Sequence, residues 1–589
     1  MQFEKFSDKL SILETTESRL KIRDYIFELL SELDKDEIKI ATYLLQSRIF
    51  PSYVNKELNI GQSTIIQAIS KSFGLPVKDI EQKHLELGDL GETAEFFAEK
   101  RKQKSLFSKK ISLIEVYNTL KKLIDLTGKD SVDNKINLIA SLYNNTSPKE
   151  TKYITKIILK SLRLNLGIQT IIEACALKVM KDKNYKTHDE NMPEYKKIKE
   201  TIDLKQSISN DLGLVVSLIF NSGIDALNDI RIKPGIPIKS ALGEREISPE
   251  AIINRLGYCM VEGKYDGFRT QLHKEGKNIT MYSRRGEDST NYFPEFQKIL
   301  SNVDHDFILD CEAIGYDVNT KKFLSFQETI KRKRKYDIKE TSAKIPVKLI
   351  AFDILYLDGK ETMNLTLEER RKILEKLISE INHYNVQTSI AIKTDKPKEL
   401  KSFFDKCLEL SLEGIIAKDL KKPYVPGSRD FGWIKLKKNY LEGQADSFDV
   451  CIVGYFYGNG KNKSLPSSML CAVYDEETNV YNVIAKVGSG LTEEIMNQFK
   501  SEFANIETKQ LENVNTDLIP DVYVEPKFVI EIICDEITKS PLYKFTKGYS
   551  FRFPRFVRIR EDKNSQDTTT IDEIEEMYYL QHKNQTPIK

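Results

Sequence analysis

The sequence predicts three domains: an all-α domain over 1–235, an α+β domain over 236–438, and a small C-terminal β-barrel over 439–589. Three observations carry this. A length of 589 residues exceeds the roughly 100–200 that one domain usually organises. Apolar residues recur at three- and four-residue spacing through the first part of the chain. The stretch Ile232-Lys-Pro-Gly-Ile-Pro-Ile238, which breaks any helix, then separates that texture from short β-rich runs.

In the first part, Leu10-Ser-Ile-Leu13, Tyr25-Ile-Phe-Glu-Leu-Leu30 and Ile40-Ala-Thr-Tyr-Leu-Leu45 gather apolar side chains on one helical face. The same spacing holds over 154–166 and 168–179. Sparse punctuation at Pro51, Gly61, Gly74-Leu-Pro76, Thr146-Ser-Pro148 and Gly167 leaves room for about a dozen helices of ordinary length. Beyond the linker, strands are expected at 258–261, 268–273, 279–283 and 347–356, with helices at 367–381 and 397–410. From Ser447 onward, runs at 449–457, 468–474, 481–487 and 528–534 predict four or five strands, which suits an oligonucleotide-binding (OB-fold) β-barrel.

Composition excludes several classes. The chain is 40% hydrophobic and 30% charged, ordinary globular material, and its net charge of +2 does not mark it as a nucleic-acid binder. Seven scattered cysteines (175, 259, 311, 407, 451, 471, 534) form no C-x-x-C pair, so they read as core residues rather than disulfides or a zinc site. The six histidines form no metal-like pair. No run approaches the roughly 20 apolar residues of a membrane span and none follows Met1, so a cytoplasmic protein is expected.

The chemistry concentrates in the middle domain. In Glu262-Gly-Lys-Tyr-Asp-Gly-Phe-Arg269, Lys264 sits between two predicted strands, beside a glycine where backbone can approach a phosphate. A lysine attacks only as the neutral amine, which burial or neighbouring cations favour; Arg269 and Arg284-Arg285 supply such cations. Further polar residues punctuate apolar runs. Glu312 ends Phe307-Ile-Leu-Asp-Cys-Glu; Phe352 lies in Leu349-Ile-Ala-Phe-Asp; Glu413 opens Glu-Gly-Ile-Ile-Ala-Lys418. Lys435 and Lys437 alternate with apolar residues in Trp433-Ile-Lys-Leu-Lys437, so on a strand they share one face. Two carboxylates suit a hard cation on a triphosphate, and two lysines suit its phosphates.

Taken in order, these segments resemble the motifs of the nucleotidyltransferases that include DNA ligases, RNA ligases and mRNA capping enzymes. Lys264-Tyr-Asp-Gly-Phe-Arg269 and Ser283-Arg-Arg-Gly-Glu287 open the series. Phe551-Arg-Phe-Pro-Arg-Phe-Val-Arg-Ile-Arg-Glu-Asp-Lys563 closes it and is its most specific member. Arg245-Glu, Phe326-Gln-Glu, Lys331-Arg-Lys-Arg-Lys-Tyr-Asp337, Glu536-Ile-Thr-Lys-Ser-Pro541 and the helical front half narrow the resemblance to ATP-dependent DNA ligases of the archaeal and eukaryotic replicative type. RNA ligases and capping enzymes lack that front half and that ending. NAD⁺-dependent ligases resemble another architecture, with a four-cysteine zinc module. A dead scaffold fits poorly with Lys264, Glu413 and Lys435 intact.

The resemblance implies a helical DNA-binding domain, an adenylation domain and an OB-fold domain that encircle nicked duplex DNA. It implies that Lys264 carries AMP, Glu262 reads the adenine amino group and Phe352 stacks on the ring. Arg269, Arg284, Arg429 and Lys435 would hold ribose and phosphates, with Glu312 near the ribose and Lys437 at the α-phosphate. Glu413, with Glu312 second, would hold Mg²⁺ or Mn²⁺. Arg552, Arg555, Arg558 and Lys563 would close over ATP and orient its pyrophosphate. ATP is the implied donor, the protein is expected to be a monomer, and its processes are DNA replication, repair and recombination. Gln103-Lys-Ser-Leu-Phe107 resembles a sliding-clamp docking peptide, with Gln103, Leu106 and Phe107 as its anchors.

Overall fold

The computed structural model describes residues 1–583 other than 17, 55, 102–109, 129, 163, 165, 186–189, 319–321, 325–328, 330–344, 428, 438–446, 459–464, 509, 510 and 512, and the backbone alone of 429–431, 582 and 583. The clamp-like peptide at 103–107, the basic run at 331–335, the Phe326-Gln-Glu segment and the Arg429 side chain lie outside the described residues.

Twelve α-helices from Phe3–Glu14 to Leu212–Ser222 build the first part among the described residues. Their starts are written locally. Ser112 with Glu115 and Ser147 with Glu150 form capping boxes that satisfy otherwise orphaned backbone N–H groups. Their apolar faces merge into one core that includes Phe6, Leu29, Ile65, Leu120, Ile154 and Val215. One expectation fails. The spacing at 154–166 predicts continuous helix, but the helix Pro148–Ile158 ends there and Lys160 takes a left-handed φ of 57°. Leu162, Leu164 and Leu166 are all buried, so these leucines still supply core although the described residues after Ile158 leave the helix.

Hydrogen bonds stitch the linker onto the strands of the middle domain. The Gly235 N–H donates to His273 Nδ1 (3.1 Å), the Ile238 N–H to Gln271 Oε1 (2.8 Å), and the Tyr282 hydroxyl to the Gly235 carbonyl (2.7 Å). Burial pushes the His273 imidazole down to about 3, so it stays a neutral acceptor.

Two sheets make the middle part. One runs in the order Leu242–Arg245, Arg429–Lys437, Gly414–Asp419, Cys259–Lys264, Ala391–Thr394. The other runs Asn278–Ser283, Phe268–Glu275, Phe307–Asp317, Val347–Leu357, Lys360–Glu361, with short strands on its flanks. The chain passes from one sheet to the other between Lys264 and Phe268. Helices Leu367–Ile381 and Pro397–Glu409 pack outside.

The last part is richer in strands than expected. Among the described residues eight strands form its main sheet, centred on Ser447–Tyr457, Pro466–Asp475 and Val480–Val487, and Glu536–Lys539 pairs with Tyr549–Arg552 separately. The run expected at 528–534 is the strand Val529–Ile533, and the additional strands are two to five residues long, too short to register as periodicity. All seven cysteines are buried and unbridged, as expected of core residues. Among the described residues no helix is long and apolar enough to cross a membrane.

Candidate active site

The site forms where the two sheets face each other, and strand pairing assembles it. Gly414–Asp419 pairs antiparallel with both Cys259–Lys264 and Arg429–Lys437, which sets Gly414 opposite Lys264 on one side and Lys437 on the other. Leu242–Arg245 pairs parallel with Arg429–Lys437 and brings Arg245 beside Lys435. Residues some 20 to 190 positions apart in sequence are therefore neighbours by register.

Glu413 is the centre of this group. Its carboxylate bridges the ammonium groups of Lys264 and Lys437, and its own N–H donates to the Lys264 carbonyl (2.9 Å). Burial alone would raise its pKa, but the two lysines hold it well below the usual carboxylate range. Lys435 experiences the opposite. Burial, then the charges of Arg245, Lys437 and Lys264, push its ammonium well below the usual lysine range. Four cations thus converge with Glu413 as the carboxylate that bridges two of them. Such a cluster is an incomplete charge balance that a bound polyanion would complete.

On the facing sheet, Glu312 and Arg269 are cross-strand partners. The sequence places Glu312 at the end of an apolar run, yet the strand continues to Asp317 and Glu312 stands mid-strand. The run looks shorter because only one face of the strand is uninterruptedly apolar. Glu312 Oε1 accepts from the Gly267 N–H (3.1 Å). A Cβ on Gly267 would lie 2.6 Å from the Ala313 carbonyl oxygen and 3.0 Å from Glu312 Cγ, so this crossing between sheets requires glycine. Burial pushes the Glu312 carboxyl up to about 8 against the partial relief of Lys264 and Arg269.

That shift has a testable sign. The fold keeps the Glu312 proton where the unfolded chain has lost it, so this group makes stability fall as pH rises from about 4.5 to about 8. Glu312→Gln is expected to remove the slope. Its Tm should match the parent at pH 5 and lie roughly 1–3 °C above it at pH 8.5, read by calorimetry. A Tm below the parent at both pH values would show that the carboxylate is stabilising instead.

Arg269 is locked rather than free to move. It makes a two-pronged ion pair with buried Asp310 (3.1 and 2.7 Å) and donates to the Ala241 carbonyl (2.8 Å). The Tyr424 hydroxyl donates to the same Asp310 (2.8 Å) and accepts from the Ala241 N–H (3.0 Å). The guanidinium lies over Phe352 and Trp433, whose rings meet edge to face at 6.2 Å. Glu262 is buried, held by Lys418 (2.6 Å) and Arg371 (3.1 Å).

The sequence reading missed Asp310, Tyr424, Lys418, Arg371 and Trp433. Two had a visible signal: Lys418 and Asp310 are charges inside apolar runs. Arg371, on the helix Leu367–Ile381, had none.

The C-terminal segment reaches this site in part. Arg285 pairs with Asp567 and donates to the Gln566 carbonyl, while Asn564 donates to Glu287 (2.8 Å). Lys563 pairs with Asp449 (2.7 Å) and lies near enough to Arg284 to feel its charge. Arg558 pairs with Glu531, its partner on the neighbouring strand of the C-terminal sheet. Arg552 and Arg555 are exposed and face Glu536 (3.3 Å) and Asp535 (2.7 Å).

For a divalent cation the fit is partial and of a recognisable kind. No cluster of three or more His, Cys, Asp or Glu side chains occurs among the described residues. Glu413 and Glu312 do act on each other electrostatically, with Asp266 near Glu312. Two hard carboxylates beside a phosphate site suit Mg²⁺, which takes few protein ligands and completes its shell with water and phosphate oxygens.

Comparison with known proteins agrees with this geometry. The family model "ATP dependent DNA ligase domain" matches residues 241–437, "DNA ligase N terminus" matches 2–176, and "ATP dependent DNA ligase C terminal region" matches 462–563. The chain is 37% identical to a probable DNA ligase of Dictyoglomus thermophilum, covering 99% of this chain and 98% of that one. It is 36% identical to the DNA ligase of Nanoarchaeum equitans and 33% identical to that of Nitrosopumilus maritimus, each over 99% of both chains. The chain belongs to the ATP-dependent DNA ligase family.

Proposed function

We propose that Lys264 is the residue through which this ligase passes AMP from ATP to the 5′-phosphate of a nick in duplex DNA. The observation that carries the proposal is the convergence of Lys264, Lys435, Lys437 and Arg245 around Glu413. A triphosphate seated there would meet cations on several sides, with the nucleophile among them.

Three transfers make up the reaction. Lys264 leaves its ion pair with Glu413 and sheds one proton to solvent, its lone pair attacks the α-phosphorus, and the nitrogen loses a second proton to solvent as the phosphoramide forms. An N–P bond forms, the bond from that phosphorus to the bridging oxygen breaks, and pyrophosphate departs. A 5′-phosphate oxygen of the nick next attacks the same phosphorus; the P–N bond breaks and the Lys264 nitrogen takes up two protons from solvent to return to the ammonium. The 3′-hydroxyl then attacks the 5′-phosphorus, losing its proton to solvent, and AMP leaves as the phosphodiester closes. Lys435 and Lys437 hold the α-phosphate, Arg269 and Arg284 the ribose and phosphates together with Arg429, and Glu262 and Phe352 the adenine. Glu413 and Glu312 would hold Mg²⁺ (or Mn²⁺), which supplies charge neutralisation on the phosphate oxygens when bound. Lys563, with Arg552, Arg555 and Arg558, serves closure and pyrophosphate departure.

In this reading residues 1–235 grip the duplex backbone, 236–438 carry the chemistry and 439–589 close over it. The enzyme acts as a cytoplasmic monomer in replication, repair and recombination, and Gln103, Leu106 and Phe107 dock it on a sliding clamp. The test is label transfer. Protein incubated with Mg²⁺ and α-labelled ATP should become labelled, and nicked duplex should discharge the label as the nick closes. Label that DNA cannot discharge would overturn the substrate assignment.

A further inference from the structure

The contacts that lock Arg269 close into a ring, and one member of that ring has no part in the three transfers. The Ala241 N–H donates to the Tyr424 hydroxyl oxygen (3.0 Å), and that hydroxyl donates to Asp310 Oδ2 (2.8 Å). Arg269 grips both Asp310 oxygens, through Nη2 on Oδ2 (2.7 Å) and Nε on Oδ1 (3.1 Å), and its Nη1 returns to the Ala241 carbonyl (2.8 Å). Asp310 is fully buried, and Ala241 and Tyr424 are each 3% exposed, so water offers these groups little substitute.

Chemistry fixes the direction of every bond in this ring. An amide N–H and a guanidinium can only donate, and an ionised carboxylate can only accept. A hydroxyl can stand between amide and carboxylate, accepting from one and donating to the other. Burial, then the Asp310 charge, holds the Tyr424 hydroxyl well above the usual tyrosine range, so it keeps the proton it must donate. Two contacts fix where that hydroxyl points. The Tyr424 N–H donates to the Met363 carbonyl (2.9 Å), and its aromatic ring meets Trp433 edge to face at 5.9 Å. Phenylalanine would fill the same space and leave the buried Ala241 N–H without its acceptor.

The ring also joins the two sheets of the site. Ala241 immediately precedes the strand Leu242–Arg245, whose last residue stands opposite Lys435, while Arg269 lies on the facing sheet. Three Arg269 N–H groups, one from each nitrogen, are used in the ring, and the rest stay available to a ligand. We propose that Tyr424 is a positioning residue for adenylation. Its hydroxyl, acting through Asp310, holds the Arg269 guanidinium at the angle from which its remaining N–H groups meet the nucleotide. Acting through Ala241, it keeps that guanidinium in step with the strand that carries Arg245. The inference rests on the reading that Arg269 holds the ribose and phosphates. A displacement of about 1 Å from the working geometry can cost on the order of 10²-fold in rate, so one buried hydroxyl outside the reacting centre can be felt at the phosphorus.

The test is a double-mutant cycle on single-turnover self-adenylation of the full-length protein with Mg²⁺ and α-labelled ATP. Tyr424→Phe is expected to lower the rate constant roughly 10- to 100-fold while the fraction of protein that becomes labelled stays the same. Structural damage would do the reverse, removing active molecules and leaving the survivors at the parent rate. Arg269→Lys keeps a positive charge for Asp310 but loses the two-pronged grip, so it should itself be slow. In that background Tyr424→Phe should cost less than about threefold more, because the residue through which it acts is already lost. Three results would overturn the inference and leave the nucleotide role of Arg269 standing: equal losses in the two backgrounds, a smaller labelled fraction at the parent rate, or a parent-like Tyr424→Phe beside a slow Arg269→Lys. A parent-like rate for Arg269→Lys would remove the reading on which the inference rests, and the inference with it.

Discussion

Replacing Lys264 with alanine or arginine is expected to reduce self-adenylation on the order of 10⁴-fold or more, to the background of the assay, while binding of nicked duplex persists. The reasoning is chemical. Arginine keeps the positive charge but stays protonated, so it offers no lone pair to phosphorus. It therefore separates nucleophile from counter-charge. Lys264 is one of several cations around Glu413, so its loss leaves Lys435, Lys437 and Arg245 to bind the triphosphate. ATP binding without labelling is the expected signature, read by filter binding beside the labelling assay. Labelling of Lys264→Arg at more than about a hundredth of the parent rate would place the nucleophile elsewhere.

The second large effect is expected at Glu413. Glu413→Gln removes the charge that bridges Lys264 and Lys437 while keeping nearly the same shape. The loss acts in three ways. The two ammonium groups repel each other, the carboxylate proposed to hold Mg²⁺ against the triphosphate is gone, and Lys264 loses the side-chain partner that positions its ammonium. A fall of roughly 10²–10³-fold in the adenylation rate is expected, because an electrostatic contact at the reacting centre is lost. ATP binding in the absence of Mg²⁺ should hold or tighten, since the site becomes more positive. That split distinguishes a metal-holding role from a structural one. Equal losses with and without Mg²⁺ would make Glu413 a structural spacer for the lysines.

The sequence was most legible where chemistry and periodicity coincide. Lys435 and Lys437 alternate with buried Ile434 and Leu436, and the strand does place both on the face opposite the core. The helix Leu367–Ile381 agrees with its expected bounds because Thr366 and Glu369 form a capping box at its start and Asn382 takes a left-handed φ at its end. Where the apolar count ran past the end of a helix, the reading failed. At 159–166 the apolar count fits a helix, yet the helix ends at Ile158 and Lys160 takes a left-handed φ, while Leu162, Leu164 and Leu166 remain buried. The partners of the site were the least legible part. Arg269 was visible in its motif, but its partners Asp310 and Tyr424 come from a neighbouring strand and a loop near residue 424. Arg371 reaches Glu262 across 109 positions. Such pairings are set by register and packing, and no local spacing encodes them.

The central claim is tested most directly by locating the AMP. Protein adenylated with ATP and Mg²⁺ is digested under conditions that preserve the phosphoramide, and the modified peptide is sequenced by tandem mass spectrometry. AMP is expected on Lys264 and should disappear after treatment with pyrophosphate. AMP on Lys418, Lys435 or Lys437 instead, reversible in the same way, would contradict it and move the nucleophile to another member of the cluster.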